Sequence, residues 1–99
     1  MKNEWDEYAK NWDSDASVAE YAHNAYAGLN KMIDIEGLCV LDFGCGTGAL
    51  TKIISAKASR IVAIDPSTEM ISYLDKKAIN NVKTIADFLS LELISSLKL

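Results

Sequence analysis

A chain of 99 residues is long enough for one domain with a modest core, and short for an α/β nucleotide-binding unit with both faces of its sheet covered. Its 49% hydrophobic content is that of a globular protein, and 10 basic against 14 acidic residues give a formal charge of −4, which offers no footprint for nucleic acid or anionic lipid. Two cysteines and the single His23 do not make a disulfide framework or a zinc site, so no metal is expected. With no apolar leader and no run of about 18 apolar residues, the expected setting is reduced, soluble and cytoplasmic, with no membrane partner.

Residues 1–16 read as an acidic, aromatic arm. Glu4, Asp6, Glu7, Asp13 and Asp15 are met only by Lys2 and Lys10, and Trp5, Tyr8 and Trp12 fall along one side of any short helix formed there. Such aromatics anchor the arm over the domain or over a ligand mouth. From Ser17 an apolar stripe of Val18, Tyr21/Ala22, Ala25/Tyr26, Leu29 and Met32/Ile33 predicts a helix, with Asp15 or Ser17 as its cap. Gly28 weakens the end of that helix by about 1 kcal/mol relative to alanine unless close packing accounts for it.

Asp34 to Gly37 reads as a turn, and Leu38 to Phe43 as a strand buried on both faces, with Cys39 a small buried residue on the face of Leu41 and Phe43. Three alternating glycines follow, Gly44, Gly46 and Gly48. Ala49, Leu50, Ile53, Ile54 and Lys57 then mark a helix of about ten residues opened by Thr47 or Gly48. Arg60 to Asp65 is a second strand. Pro66, Ser67 and Thr68 open another helix, with Met70, Ile71, Leu74 and Ala78 facing inward and Asn80-Asn81 at its end. Val82 to Ile85 is a short third strand, and Asp87 to Leu99 is read as a helix capped by Asp87 in preference to an extended segment.

The alternation predicts an α/β fold, a partial Rossmann-like three-layer parallel sheet of three strands joined by right-handed crossovers, with an amino-terminal helical cap. Residues 17–99 then form an incomplete Rossmann-like domain behind the arm.

The chemistry centres on the glycine turn. At the carboxyl end of a parallel strand a ligand reaches the backbone only where no Cβ obstructs it, and Gly44 and Gly46 remove that obstruction. Cys45 is then a small side chain tolerated beside the ligand. Gly48 lets the next helix pack close, and free N–H groups at a helix start bind polar ligand groups. Asp42 ends a buried strand, where an unpaired carboxylate is costly, so a cationic or hydrogen-bonding partner is expected. Asp65 closes the second strand about 20 residues beyond the turn, where an acid accepts the hydroxyls of a ribose.

In these residues the sequence resembles the class I S-adenosylmethionine-dependent methyltransferases, particularly their small-molecule branch. Asp42-Phe43-Gly44-Cys45-Gly46-Thr47-Gly48 is similar to the first motif of that family, and Ile61 to Asp65 with Pro66-Ser67-Thr68-Glu69-Met70 to the second. The resemblance implies S-adenosylmethionine as cofactor. Asp42 and the loop around Gly44 and Gly46 would hold its methionine part, Asp65 its ribose, and Met70 would line the adenine pocket. Asp87 would face the adenine amino group, and Phe88 would stack beside it. Tyr8, Trp12, Asp13 and Tyr21 resemble the cap that covers the cofactor and shapes the acceptor site.

The resemblance also implies what lies outside this chain. A complete member places a fourth strand beside the first, in the order 3-2-1-4, and keeps many acceptor-orienting groups in its second half. Here the first strand would become an open edge, which invites pairing. Either a homodimer forms through that edge, or the apolar tail from Phe88 to Leu99 folds over part of the gap. The implied reaction is methyl transfer to a small-molecule acceptor, with catalysis from positioning and desolvation. No residue is named as the base, and His23 is the only acceptor-side candidate. Two other readings stand beside this one. Gly44-x-Gly46-x-x-Ala49 also satisfies the nicotinamide dinucleotide fingerprint, although Asp42 would repel a pyrophosphate. The chain could also be a non-catalytic association or cofactor-binding module.

Overall fold

Asp15 starts the first helix, α1 (Ala16–Met32), by accepting hydrogen bonds from the Ser17 N–H at 2.9 Å and the Ser17 hydroxyl at 2.7 Å. These bonds hold the Asp15 carboxyl below its ordinary range. The computed structural model describes residues 11, 12 and 14–97, so most of the acidic arm, including Trp5, Tyr8 and Asp13, lies outside the described residues. Beyond α1 the order is β1 (Cys39–Phe43), α2 (Ala49–Ser55), β2 (Arg60–Asp65), α3 (Thr68–Lys76), β3 (Val82–Ala86) and α4 (Leu91–Leu97).

The three strands form one parallel sheet in the order β1-β2-β3. Val40 pairs with Ile61 and Phe43 with Ile64 on one side of β2, and Ile61 with Val82 and Asp65 with Ala86 on the other. Every residue of β2 after Arg60 is buried, as a strand flanked on both sides requires. Ile61 and Ala63 of β2 meet Ile35, Ile54 of α2, Ala58 and Leu74 of α3 in one apolar cluster, to which Tyr26 and Leu29 of α1 add partly buried contacts. A three-stranded parallel sheet with flanking helices and an amino-terminal helical cap is thus the architecture that the alternation predicts.

Several expectations change at the ends of elements. β1 is the edge of the sheet, so it is not buried on both faces: Cys39 and Phe43 are exposed and the residues between are half-buried. Cys39 is therefore a surface thiol, with Arg60 Nη2 3.5 Å from its Sγ. α2 stops at Ser55 rather than reaching Lys57, whose carbonyl instead accepts from the Gly37 N–H at 2.9 Å as the chain turns back into β2. α3 stops at Lys76, and Ala78, expected on its inward stripe, sits in the turn with φ +50°. Asn81 ties that turn down through its side-chain amide, which donates to the carbonyls of Ser55 and Ala58. Gly28 has open space where a Cβ would be, so close packing does not account for it.

The tail also departs from expectation. Ser90, not Asp87, caps α4, its hydroxyl accepting from the Leu93 N–H at 3.0 Å. The helix follows β3, at the sheet edge opposite β1, and among the described residues it makes no extensive contact with any other element. Among the described residues it makes no extensive contact with the open β1 edge, so the expected covering of that edge by the tail is not seen there.

Candidate functional site

The carboxyl ends of β1 and β2 lie side by side, and the glycine turn is stitched to β2 rather than left as a free loop. The N–H groups of Gly44 and Cys45 both donate to the Ile64 carbonyl, at 2.7 and 3.2 Å, continuing the ladder past the end of β1. The Gly46 N–H then donates to Asp65 Oδ2 at 3.0 Å, while Asp65 Oδ1 accepts from the Ser67 N–H at 2.9 Å. Asp65 is only 8% exposed, and a buried carboxylate requires such partners. With one bond to each oxygen, lone pairs remain for ligand hydroxyls.

The glycines serve two separate needs. Gly44 has φ +75° and empty space where a Cβ would be, so its backbone is open to the cleft. Gly48 has φ +87° and caps α2 without a side-chain bond, and a Cβ there would fall within the Leu74 side chain. The expected close packing at Gly48 is therefore real, and its partner is α3.

Two cavities open over this turn. One, of about 400 Å³, is lined by Asp42, Gly44, Cys45 and Leu50 below and by Val18 and Tyr21 of α1 above. The other, of about 330 Å³, is lined by Asp65, Pro66 and Met70. Trp12, Phe43, Gly44 and Gly46 border both, and a Cβ on Gly46 would lie 3.4 Å from Trp12 Nε1. The two spaces thus form one cleft, with the Trp12 indole over its middle. No lysine, arginine or histidine lines either cavity among the described residues.

Asp42 has the hydrogen-bonding partner its position requires: Thr51 Oγ1 donates to Asp42 Oδ2 at 2.6 Å. Burial raises the Asp42 carboxyl above the ordinary range; the Thr51 bond opposes this, and the Asp65 charge adds to it. Burial beside Asp42 and Asp65 also pushes the Cys45 thiol up to about 12, so Cys45 is a neutral wall residue, not a nucleophile.

The expected site residues are brought together unevenly. Asp42, Gly44, Cys45, Gly46, Asp65, Met70, Trp12 and Tyr21 all border the cleft. Asp87 borders neither cavity, but its N–H donates to the Asp65 carbonyl at 3.1 Å, which keeps it at the same end of the sheet. Phe88 beside it is 66% exposed, and Tyr8 lies outside the described residues. His23 is not brought to the cleft; it lines a separate groove between α1 and α2 with Tyr26 and Lys52. Thr51, the partner of Asp42, is the residue the motif reading missed. Its signal is a polar residue in the first turn of the helix that follows the acid and glycines, facing back toward the strand end.

A family model for a methyltransferase domain matches residues 40–95, more than half of the chain. Malonyl-[acyl-carrier protein] O-methyltransferase of Acetivibrio thermocellus is 41% identical over 70 residues, which cover 66% of this chain and 24% of that protein. Ribosomal RNA small subunit methyltransferase A of Mesoplasma florum is 37% identical over 57 residues, 54% of this chain and 21% of that protein. Among solved structures, a DhpI–SAM–HEP complex superposes with a TM-score of 0.67 at 28% identity, covering 82% of this chain and 38% of the other. The chain thus spans well under half the length of the relatives it matches. No helix among the described residues is long and apolar enough to cross a membrane. With the strand, acid, glycine turn and second acidic strand end in register, the chain belongs to the class I S-adenosylmethionine-dependent methyltransferase family, matching the amino-terminal part of its catalytic domain.

Proposed function

We propose that this chain is the cofactor-binding half of an S-adenosylmethionine-dependent methyltransferase acting on a small-molecule acceptor. One observation carries the reading: two carboxylates, Asp42 and Asp65, flank an open glycine turn in a cleft with no lysine, arginine or histidine along its described lining. That field suits a cationic cofactor and opposes a pyrophosphate, which disfavours the nicotinamide reading. When bound, S-adenosylmethionine supplies a methyl group already activated on its sulfonium.

The chain's own part is binding and orientation. Asp42 and the backbone of Gly44, Cys45 and Gly46 hold the methionine part. Asp65 takes the ribose hydroxyls on its remaining lone pairs, and Met70 walls the adenine side with Asp87 and Phe88 beyond it. Trp12 and Tyr21 close the cleft from above and exclude water. In this reading residues 1–16 form the arm and residues 17–99 the domain. No catalytic base is assigned among these residues. The open β1 edge, flanked by exposed Leu38 and Phe43, supports homodimerisation through edge pairing, and the two free cysteines support a reducing, cytoplasmic setting. The small-molecule acceptor draws support from the DhpI complex with SAM and HEP, whereas the ribosomal RNA relative marks nucleic acid as the competing acceptor class.

Amide NMR mapping tests the reading. S-adenosylmethionine is expected to move the Gly44, Gly46 and Asp65 resonances most, and perturbations confined to the α1/α2 groove around His23 would contradict it.

A further inference from the structure

Thr51 is fully buried in the first half of α2, and its hydroxyl is spent on Asp42, nine residues earlier at the end of β1. The bond is short and charge-assisted, and it crosses from the helix to the strand beneath the larger cavity. Among the described residues, the titratable groups around Asp42 supply no positive charge: Asp65 comes from β2, the Cys45 thiol from the turn, and the Tyr21 phenol from α1 across the same cavity. Burial and Asp65 both favour the neutral acid, and Thr51 is the group that opposes them.

Resting on the cofactor site assigned above, we infer that Thr51 is a positioning residue for ligand binding, holding the Asp42 carboxylate in register with a cationic group of the ligand. The hydroxyl does two things at once. It fixes one carboxylate oxygen against α2, which limits rotation of the side chain, and it stabilises the anion over the acid, which keeps a negative charge in the cavity as the pH falls. A purely structural tie between α2 and β1 would affect stability alone.

The two roles separate in Thr51→Val, which keeps the shape and loses the donor, and Thr51→Ser, which keeps the donor. Carboxyl-detected NMR of the ligand-free full chain follows the Asp42 titration directly, and calorimetry with S-adenosylmethionine across the same pH range follows binding. Thr51→Val is expected to move the Asp42 midpoint to higher pH and to weaken binding about tenfold on the acid side of the native midpoint, the loss of one charge-assisted bond. Thr51→Ser is expected to track the native chain. If Thr51→Val does not fold, Thr51→Ala removes the hydroxyl without adding bulk and repeats the test.

An unchanged midpoint and binding profile in Thr51→Val overturns the inference, as does a Thr51→Ser shift equal to that of Thr51→Val. If the native chain binds no S-adenosylmethionine at any pH, the cofactor reading falls and takes the ligand role of Thr51 with it. The ligand-free titration then still decides whether Thr51 sets the protonation of Asp42.

Discussion

Gly46 donates its backbone N–H to the Asp65 carboxylate at 3.0 Å, so the side chain assigned to the ribose also holds the glycine turn in shape. Asp65 spends its other oxygen on the Ser67 N–H at the start of α3, and one buried residue thereby links β2, the turn and the next helix. Asp65→Asn offers one acceptor where two are needed and turns an amide donor toward the second N–H. The variant is expected to lose about 1–3 kcal/mol of stability in urea unfolding. An unchanged midpoint would show that the bonds to Gly46 and Ser67 carry no weight.

Gly44 and Gly48 predict opposite outcomes for the same substitution. Gly44→Ala meets no atom within 4 Å, so it costs only the strain of its positive φ, about 1–2 kcal/mol, yet its Cβ enters the cleft and weakens cofactor binding. Gly48→Ala drives a Cβ into Leu74 as well as straining the backbone, and loses more, about 2–4 kcal/mol, with binding affected only through stability. Urea unfolding and calorimetric titration of both variants read the contrast. Adding Leu74→Ala to Gly48→Ala should give a total smaller than the sum of the single losses, because the cavity receives the new Cβ.

The turn and the second strand were legible because their signals are local. Three alternating glycines after an apolar strand have few other uses, and Arg60 to Asp65 is a central strand whose apolar run ends where the sheet ends. β1 was misread in burial because its apolar run is that of a central strand, whereas the open edge that the resemblance implies leaves its two ends exposed. Ala78 was misplaced because its apolar spacing continues the α3 stripe past Lys76, where the backbone already turns. Asp42 announced its need for a partner but not the partner's name, since Thr51 reaches it only through the packing of α2 on the sheet.

Asp42 makes stability depend on pH in a direction opposite to an ordinary salt-bridged carboxylate. Its folded-state carboxyl lies above the unfolded value, so the folded chain holds more protons between the two, and the contribution of this group to stability falls as pH rises through that window. Asp42→Asn removes the effect. Urea unfolding from about pH 4 upward should show the variant gaining on the native chain as pH increases. A gap that stays constant with pH would contradict the assignment.

The two cysteines should differ in reactivity. Cys39 is on the surface of the β1 edge, whereas the Cys45 thiol, pushed up to about 12, stays protonated and half-buried in the cleft. Alkylation at about pH 8 followed by peptide mass spectrometry is expected to label Cys39 at least tenfold faster than Cys45 in the folded chain. Equal rates in native buffer would mean that the turn opens freely.

The central claim is that the acid-flanked glycine turn selects S-adenosylmethionine chemistry over a dinucleotide. Calorimetric titration of the full chain with S-adenosylhomocysteine and, separately, with NAD tests it most directly. The account predicts saturable one-site binding of S-adenosylhomocysteine, weakened by Gly44→Ala, and no measurable heat with NAD. Binding of NAD in preference to S-adenosylhomocysteine, or of neither, would contradict it.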